Sequence, residues 1–156
     1  MHLTRVAGQI RCKPLLWDNY PVNDGPRLSP FLHLRAFTGR SAAIADQIAG
    51  HAINPALQPV VSRIPALTLA DSYLLGDSYE YRKAFIRAAI QVLGPDLAGL
   101  VESRLSAFQD VGLEHLGGGV ARLKPRFASI DHPGAREIVA WLDGAWTITR
   151  EELEAS

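Results

Sequence analysis

Residues 15–24 read Leu15-Leu16-Trp17-Asp18-Asn19-Tyr20-Pro21-Val22-Asn23-Asp24. A short apolar run ends in a tryptophan, and amides, carboxylates and a proline follow at once. This order is typical of a buried strand that opens into a polar loop, where α/β proteins place their functional groups. We therefore expect a strand over residues 13–18 and a long loop over residues 19–30. Prolines and glycines interrupt that second stretch: Pro21, Gly25, Pro26 and Pro30.

The composition is that of a folded domain of ordinary size, with 156 residues, 47% of them hydrophobic and 21% charged. Basic and acidic residues both total 16, so the net charge predicts no binding to nucleic acid or a membrane surface. The densest basic cluster is expected to be a solvated turn: Arg122, Lys124 and Arg126. No apolar run is long enough to span a membrane, and no signal peptide is recognisable. We expect the chain as given to be cytoplasmic.

The sequence predicts neither a metal site nor another cofactor. Cys12 is the only cysteine, which excludes an internal disulfide and a thiolate cluster. The five histidines lack the spacing of metal ligands. Three consecutive glycines, residues 117–119, are not followed by the Lys-Ser/Thr pair of a phosphate-binding loop, so we interpret them as a flexible connection.

Beyond residue 40 the signals are helical. Ser41 is expected to cap a helix that runs to about His51, and Asn54-Pro55 to stop it. Five further helices are expected. Pro65 suits the first turn of the first, Ser78 caps the second and Gly94 ends it, and Pro95 begins the third. Asp131 and Pro133 begin the fourth, and Thr149 and Glu152 form a capping box for a short terminal helix. The sequence thus predicts a mainly α fold, with one strand, its loop and helix, and then a bundle of about four helices.

Four side chains, at the end of the strand, in the loop and after it, have the chemistry of a carbohydrate site. Trp17 offers a flat apolar face on which a sugar or an acetamido methyl group can stack. Asn19 and Asn54 each offer a donor and an acceptor, and Asp24 offers a charged acceptor. Because every sugar hydroxyl both donates and accepts, this set suits a sugar.

The same residues also fit purely structural roles. They would then be a core tryptophan (Trp17), two turn formers (Asn19 and Asn23), an Asx turn (Asp24) and a helix C-cap (Asn54). Asp18 and Asp24 also raise the possibility of a general acid/base pair. Strand alternation argues against that pair, because it turns Asp18 away from the face of Trp17.

Residues 17–24 resemble the signature of glycoside hydrolase family 84, which contains the O-GlcNAcases and the bacterial hyaluronidase-like β-N-acetylglucosaminidases. In that family the signature follows the last strand of a (β/α)8 barrel. Residues 50–55 resemble the family's second sugar-binding element. The later helices, up to residues 137–144, resemble the helical domain that follows the barrel in bacterial members. The resemblance covers nearly the whole chain from about Cys12.

The resemblance implies a domain organisation and a reaction. Residues 1–62 would be the C-terminal remnant of the catalytic barrel, and residues 63–156 a helical bundle domain. Members of the family remove β-linked N-acetylglucosamine with the substrate's own 2-acetamido oxygen as nucleophile, through an oxazoline. By motif position, the substrate-binding residues would be Trp17 in the acetamido pocket, Asn19 beside the reacting amide, and Asp24 and Asn54 on the sugar hydroxyls.

The chain departs from the family in two respects. We expect only one of the eight barrel strands in it, and it lacks the family's acid/base pair. The family's acid/base pair is two adjacent aspartates on an earlier strand, and no Asp-Asp pair occurs in these 156 residues. We therefore expect no catalytic residue here and an inactive C-terminal fragment of a β-N-acetylglucosaminidase. Its partners would be an N-acetylglucosamine-containing glycoside or glycoprotein and the missing N-terminal half.

The sequence leaves two alternatives open. The first is a freestanding helical protein-interaction module that keeps a vestigial sugar-binding loop and self-associates through its exposed face. The second is a residual sugar-binding protein, whose few positioning groups would bind at millimolar strength or weaker.

Overall fold

Two short parallel strands organise the N-terminal part of the fold. The computed structural model describes residues 2–148, and in it β1 (Leu15–Asp18) pairs with β2 (Gly50–Ile53). The ladder continues past the strands, where the backbone N–H of Asn54 donates to the carbonyl of Asp18 at 2.9 Å. Parallel strands end at the same edge of a sheet, so the residues after β1 and β2 emerge side by side.

The second strand corrects the sequence prediction. Ser41 does cap a helical turn, since its Oγ accepts from the Ala43 backbone N–H at 3.2 Å. That turn is a 3₁₀ helix that spans Ala42–Gln47, and the predicted helix is wrong beyond it because the chain extends into β2. β2 has four residues and a distant partner, so no local periodicity marks it. The predicted loop over residues 19–30 also contains a single helical turn, α2 (Gly25–Leu28).

The described residues are mostly helical, as predicted. The α-helices besides α2 are α1 (His2–Ile10), α3 (Arg63–Leu75), α4 (Tyr81–Leu93), α5 (Pro95–Ser103), α6 (Leu113–Leu116), α7 (Gly119–Ala128) and α8 (Pro133–Leu142). A π-helical turn spans Ala107–Val111. The expected punctuation by Pro65, Gly94, Pro95 and Pro133 is confirmed. The Ser78 cap is wrong, since Glu80 precedes α4.

The structure changes two interpretations of the sequence around α7. Gly119 opens α7, so the glycine run is only in part a connection. The basic cluster lies on α7 itself, and its Lys124 pairs with Asp143 of the α8 C-terminus. The predicted Thr149–Glu152 capping box lies outside the described residues.

Within residues 2–148 no helix is both long and apolar enough to cross a membrane.

The core joins the helices to the segment that precedes them. Phe108, Phe127 and Trp141 are fully buried, and the Phe108 ring lies 5.7 Å from each of the other two. Leu32 and Leu34 enter the same cluster, although they belong to no regular element. Burial of each such side chain contributes about 1.5–3 kcal/mol, which holds this segment firmly against the helices.

Candidate functional site

Three of the four predicted site residues meet at the carboxyl ends of the strands. The Trp17 indole Nε1 donates to Asn19 Oδ1 at 3.1 Å, and Asn54 Nδ2 approaches the same oxygen at 3.5 Å. Trp17 is 63% exposed, so its ring face is open rather than buried as expected for a strand residue. Trp17, Asn19 and Asn54 form what we term the amide rim.

The shared acceptor fixes which way the Asn19 amide points. Two donors converge on its oxygen, so the amide nitrogen must face the other side. Within residues 2–148 that nitrogen has no hydrogen-bond partner in the structure, and Asn19 is exposed. Asn54 donates its Nδ2 to Asn19, and its Oδ1 remains available as an acceptor. The amide rim therefore presents one donor group and one acceptor beside an aromatic face.

Asp24 lies further along the loop, at the N-cap position of α2. Its side chain is exposed and makes no capping hydrogen bond to that helix. The carboxylate therefore remains an unused acceptor at this point of the loop. No hydrogen bond joins the Asp24 side chain to the amide rim among the described residues. The bonds that link this part of the loop to the segment after Asn54 belong to the residue before Asp24.

That neighbour, Asn23, is 1% exposed and ties the loop together. Its Nδ2 donates to the Phe31 carbonyl at 2.9 Å and to Gln58 Oε1 at 2.8 Å, and its Oδ1 accepts from the Leu57 backbone N–H at 2.9 Å. The sequence marked Asn23 only as a turn former. Its buried role depends on Gln58, which lies 35 positions away, so no local pattern pointed to it.

The opposite face of β1 carries an ion pair. Asp18 Oδ2 lies 2.6 Å from Arg40 Nη2 and 3.4 Å from His51 Nε2, and His51 Nδ1 lies 2.8 Å from the Tyr73 hydroxyl. Asp18 thus faces away from Trp17, as strand alternation predicts. Its carboxylate links β1 to Arg40 and to His51 of β2. Burial raises the pKa of Tyr73, while the positive charge of Arg40 partly offsets this.

A cleft of about 530 Å³ opens beside this ion pair, between the strand end and α4 and α5. Its walls include four aromatic side chains and an exposed ion pair: Tyr20, Phe37, Tyr81, Phe85, Arg82 and Glu102. Tyr20 donates its hydroxyl to the Arg35 carbonyl at 2.8 Å, and burial raises its pKa to about 12. Within residues 2–148 no group of three or more His, Cys, Asp or Glu side chains is arranged to hold a metal ion.

A family model described as beta-N-acetylglucosaminidase matches residues 1–109 of the 156. The chain belongs to the beta-N-acetylglucosaminidase family. The match includes β1, β2 and all four predicted site residues. The family resemblance drawn from residues 17–24 is therefore confirmed.

Solved structures show that the fold of this beta-N-acetylglucosaminidase family chain is shared. It is similar to a Thermobaculum terrenum O-GlcNAc hydrolase mutant, with 23% identity and a TM-score of 0.68 over 92% of this chain and 38% of that one. It is similar to CpGH84B, with 19% identity and a TM-score of 0.61 over 92% of this chain and 31% of that one. The chain thus spans about a third of the length of these proteins. No curated protein sequence matches it.

Proposed function

We propose that this chain supplies the N-acetylglucosamine-positioning part of a beta-N-acetylglucosaminidase. The observation that carries the proposal is the amide rim, which stands at the carboxyl ends of two adjacent parallel strands. In α/β barrels the substrate binds at that end. The family match covers the same residues.

In this proposal β1 and β2 are two neighbouring strands of a (β/α)8 barrel, and α3, the first helix after β2, begins the helical bundle domain. Residues 1–62 would belong to the barrel and residues 63–156 to a helical bundle domain. The sequence predicted one such strand, whereas the parallel pair supplies two. A barrel of eight strands needs about 250 residues, so the remaining strands would come from outside these 156 residues.

The chemistry of the four side chains matches the polar groups of an N-acetylated sugar. The Trp17 face would contact the acetamido methyl group. The free Asn19 nitrogen would donate to an oxygen of the sugar, and holding the acetamido group in place favours attack of its oxygen on the anomeric carbon. Asn54 Oδ1 and the Asp24 carboxylate would accept from sugar hydroxyls. All four bind and position the substrate.

The acid/base step would come from elsewhere. As the leaving group departs, a general acid must protonate its oxygen, and a base must take up the acetamido N–H proton as the oxazoline forms. The family uses two adjacent aspartates for this, and the 156 residues contain no such pair. We therefore expect no hydrolysis by this chain alone.

Two measurements test the proposal. The purified chain should not hydrolyse an aryl N-acetyl-β-glucosaminide, and activity should appear when barrel strands with the paired aspartates are supplied in trans. Methyl N-acetyl-β-glucosaminide should bind the chain weakly, and Asp24→Ala should weaken that binding. Turnover by the chain alone, or equal binding by wild type and Asp24→Ala, would contradict the proposal.

One observation favours the alternative of a helical interaction module. Large apolar side chains are exposed, with Leu15 at 62%, Trp17 at 63% and Leu74 at 81%. In the first proposal Leu15 meets the rest of a barrel and Trp17 meets the substrate, whereas in the alternative both meet a second copy of the chain. Size-exclusion chromatography separates these, because a monomer over a wide concentration range argues against self-association through this face.

A further inference from the structure

The side chain of Asn23 is buried, which a turn-forming residue does not require. It is 1% exposed, yet both hydrogens of its Nδ2 are used, one on the Phe31 carbonyl and one on Gln58 Oε1. Its Oδ1 accepts the Leu57 backbone N–H. A buried amide is costly unless its hydrogen bonds are made, so this arrangement admits one orientation of the side chain.

These bonds join the two segments that carry the proposed sugar-binding groups. Asn23 directly precedes Asp24, and Leu57 lies three residues after Asn54. The exposed Asp24 side chain has no capping bond of its own to α2. The bonds of the adjacent Asn23 therefore fix the backbone position of Asp24 relative to the segment that carries Asn54.

We propose that Asn23 is the positioning residue of the sugar site, which holds the Asp24 carboxylate at its working distance from the amide rim. This inference rests on the proposed function. The chemistry requires asparagine in particular. Aspartate has the same shape but cannot donate to the Phe31 carbonyl or to Gln58, and alanine loses all three bonds.

A double-mutant cycle on the 156-residue chain tests the inference. The probe is methyl N-acetyl-β-glucosaminide, and ligand-observed NMR titration gives its Kd for wild type, Asn23→Ala, Asp24→Ala and the double variant. We expect each single change to weaken binding about tenfold, as for the loss of one charged hydrogen bond. The double variant should be no weaker than the weaker single variant, because Asn23 acts through Asp24. If the Kd of the double variant rises by the product of the two single fold-changes, the inference is overturned.

A control separates positioning from simple loss of stability. Val101→Ala removes two methyl groups from the buried side of α5, so it lowers stability by packing alone. Measured on folded protein, its Kd should equal that of wild type. If Asn23→Ala does not fold, Gln58→Met takes its place in the cycle, with a loss of about threefold expected for one neutral bond. Gln58 suits this use because its Nε2 has no partner among residues 2–148.

A sugar-free measurement separates failure of the inference from failure of the proposed function. If wild type does not bind the probe, the proposed function fails. Asn23→Ala should still shift the NMR signals of the Asp24 backbone amide and the Asn54 side-chain amide, whereas Val101→Ala should leave them in place. Unshifted signals in Asn23→Ala would overturn the positioning role, whatever the sugar does.

Discussion

Asp18 and Arg40 form an ion pair, with 2.6 Å between Asp18 Oδ2 and Arg40 Nη2, directly behind the amide rim. The Asp18 side chain is only 12% exposed, and His51 Nε2 lies 3.4 Å from the same oxygen. The backbone carbonyl of Asp18 also accepts the N–H of Asn54. Asp18 thus connects the end of β1 to the end of β2 and to Arg40 in the segment between the two strands.

The ion pair predicts a loss of stability in Arg40→Met. The change leaves a mostly buried carboxylate without its main partner, which costs about 1–3 kcal/mol of unfolding free energy. Urea denaturation measures the difference. Arg82→Met is the matched control, because its 3.8 Å contact with Glu102 is exposed and the change should stay within about 0.5 kcal/mol. Equal effects of the two variants would show that the Asp18–Arg40 pair does not hold the strand end.

The orientation of the Asn19 amide predicts that Asn19→Asp binds sugar as poorly as Asn19→Ala. Aspartate keeps the shape and the acceptor that Trp17 Nε1 uses, but it replaces the free donor with a second acceptor. We expect a loss of about tenfold or more in affinity for methyl N-acetyl-β-glucosaminide. NMR titration gives both Kd values, and circular dichroism confirms folding. Wild-type affinity in Asn19→Asp would mean that the Asn19 nitrogen does not donate to the sugar.

Local sequence predicts the starts and ends of several helices in this fold. Pro65, Pro95 and Pro133 each lie in the first turn of a helix, because proline's missing N–H costs nothing there. Gly94 ends α4 at a φ of +75°, a conformation that other residues adopt with strain. Each of these signals works within one turn of the chain.

The missed parts depend on partners far along the chain. β2 exists because Gly50–Ile53 meets β1, more than 30 residues away, and its four residues show no strand pattern of their own. In the candidate site, the predicted strand end at residue 18 agrees with β1, so local sequence located Trp17 within the strand and Asn19 directly after it. The interlock of Asn23 with Gln58 could not be inferred, because a lone glutamine between Leu57 and Pro59 carries no signal.

Glu137 predicts a second stability effect, at the start of α3. Its carboxylate accepts from the Val60 backbone N–H at 2.9 Å and from that of Val61 at 3.0 Å, at the turn that leads into α3. Glu137→Gln removes the charge and one acceptor, so we expect a loss of about 1–2 kcal/mol. The exposed Glu114→Gln is the control and should change stability by less than about 0.5 kcal/mol. Thermal unfolding of both variants decides, and identical melting curves would refute the role of Glu137.

Tyr20 predicts how stability depends on alkaline pH. Burial raises its pKa from 10.0 to about 12 in the folded protein, against partial offsets from Gln109 and Arg35. An unfolded chain loses this proton near pH 10, whereas the folded chain retains it up to about pH 12. The folded state therefore binds more protons between these values, and unfolding free energy falls as pH rises through that window. Below pH 10 the contribution is complete.

The fall amounts to roughly 2–3 kcal/mol for two pKa units. Tyr20→Phe should be less stable than wild type at pH 7 by about 1 kcal/mol, since it loses the 2.8 Å bond to the Arg35 carbonyl. Its stability should then decline less steeply above pH 10. Some decline remains, because burial also raises the pKa of Tyr73 and Tyr79. Urea denaturation at several pH values from 8 to about 11 measures both slopes, and parallel curves would show that Tyr20 does not titrate differently in the folded and unfolded chains.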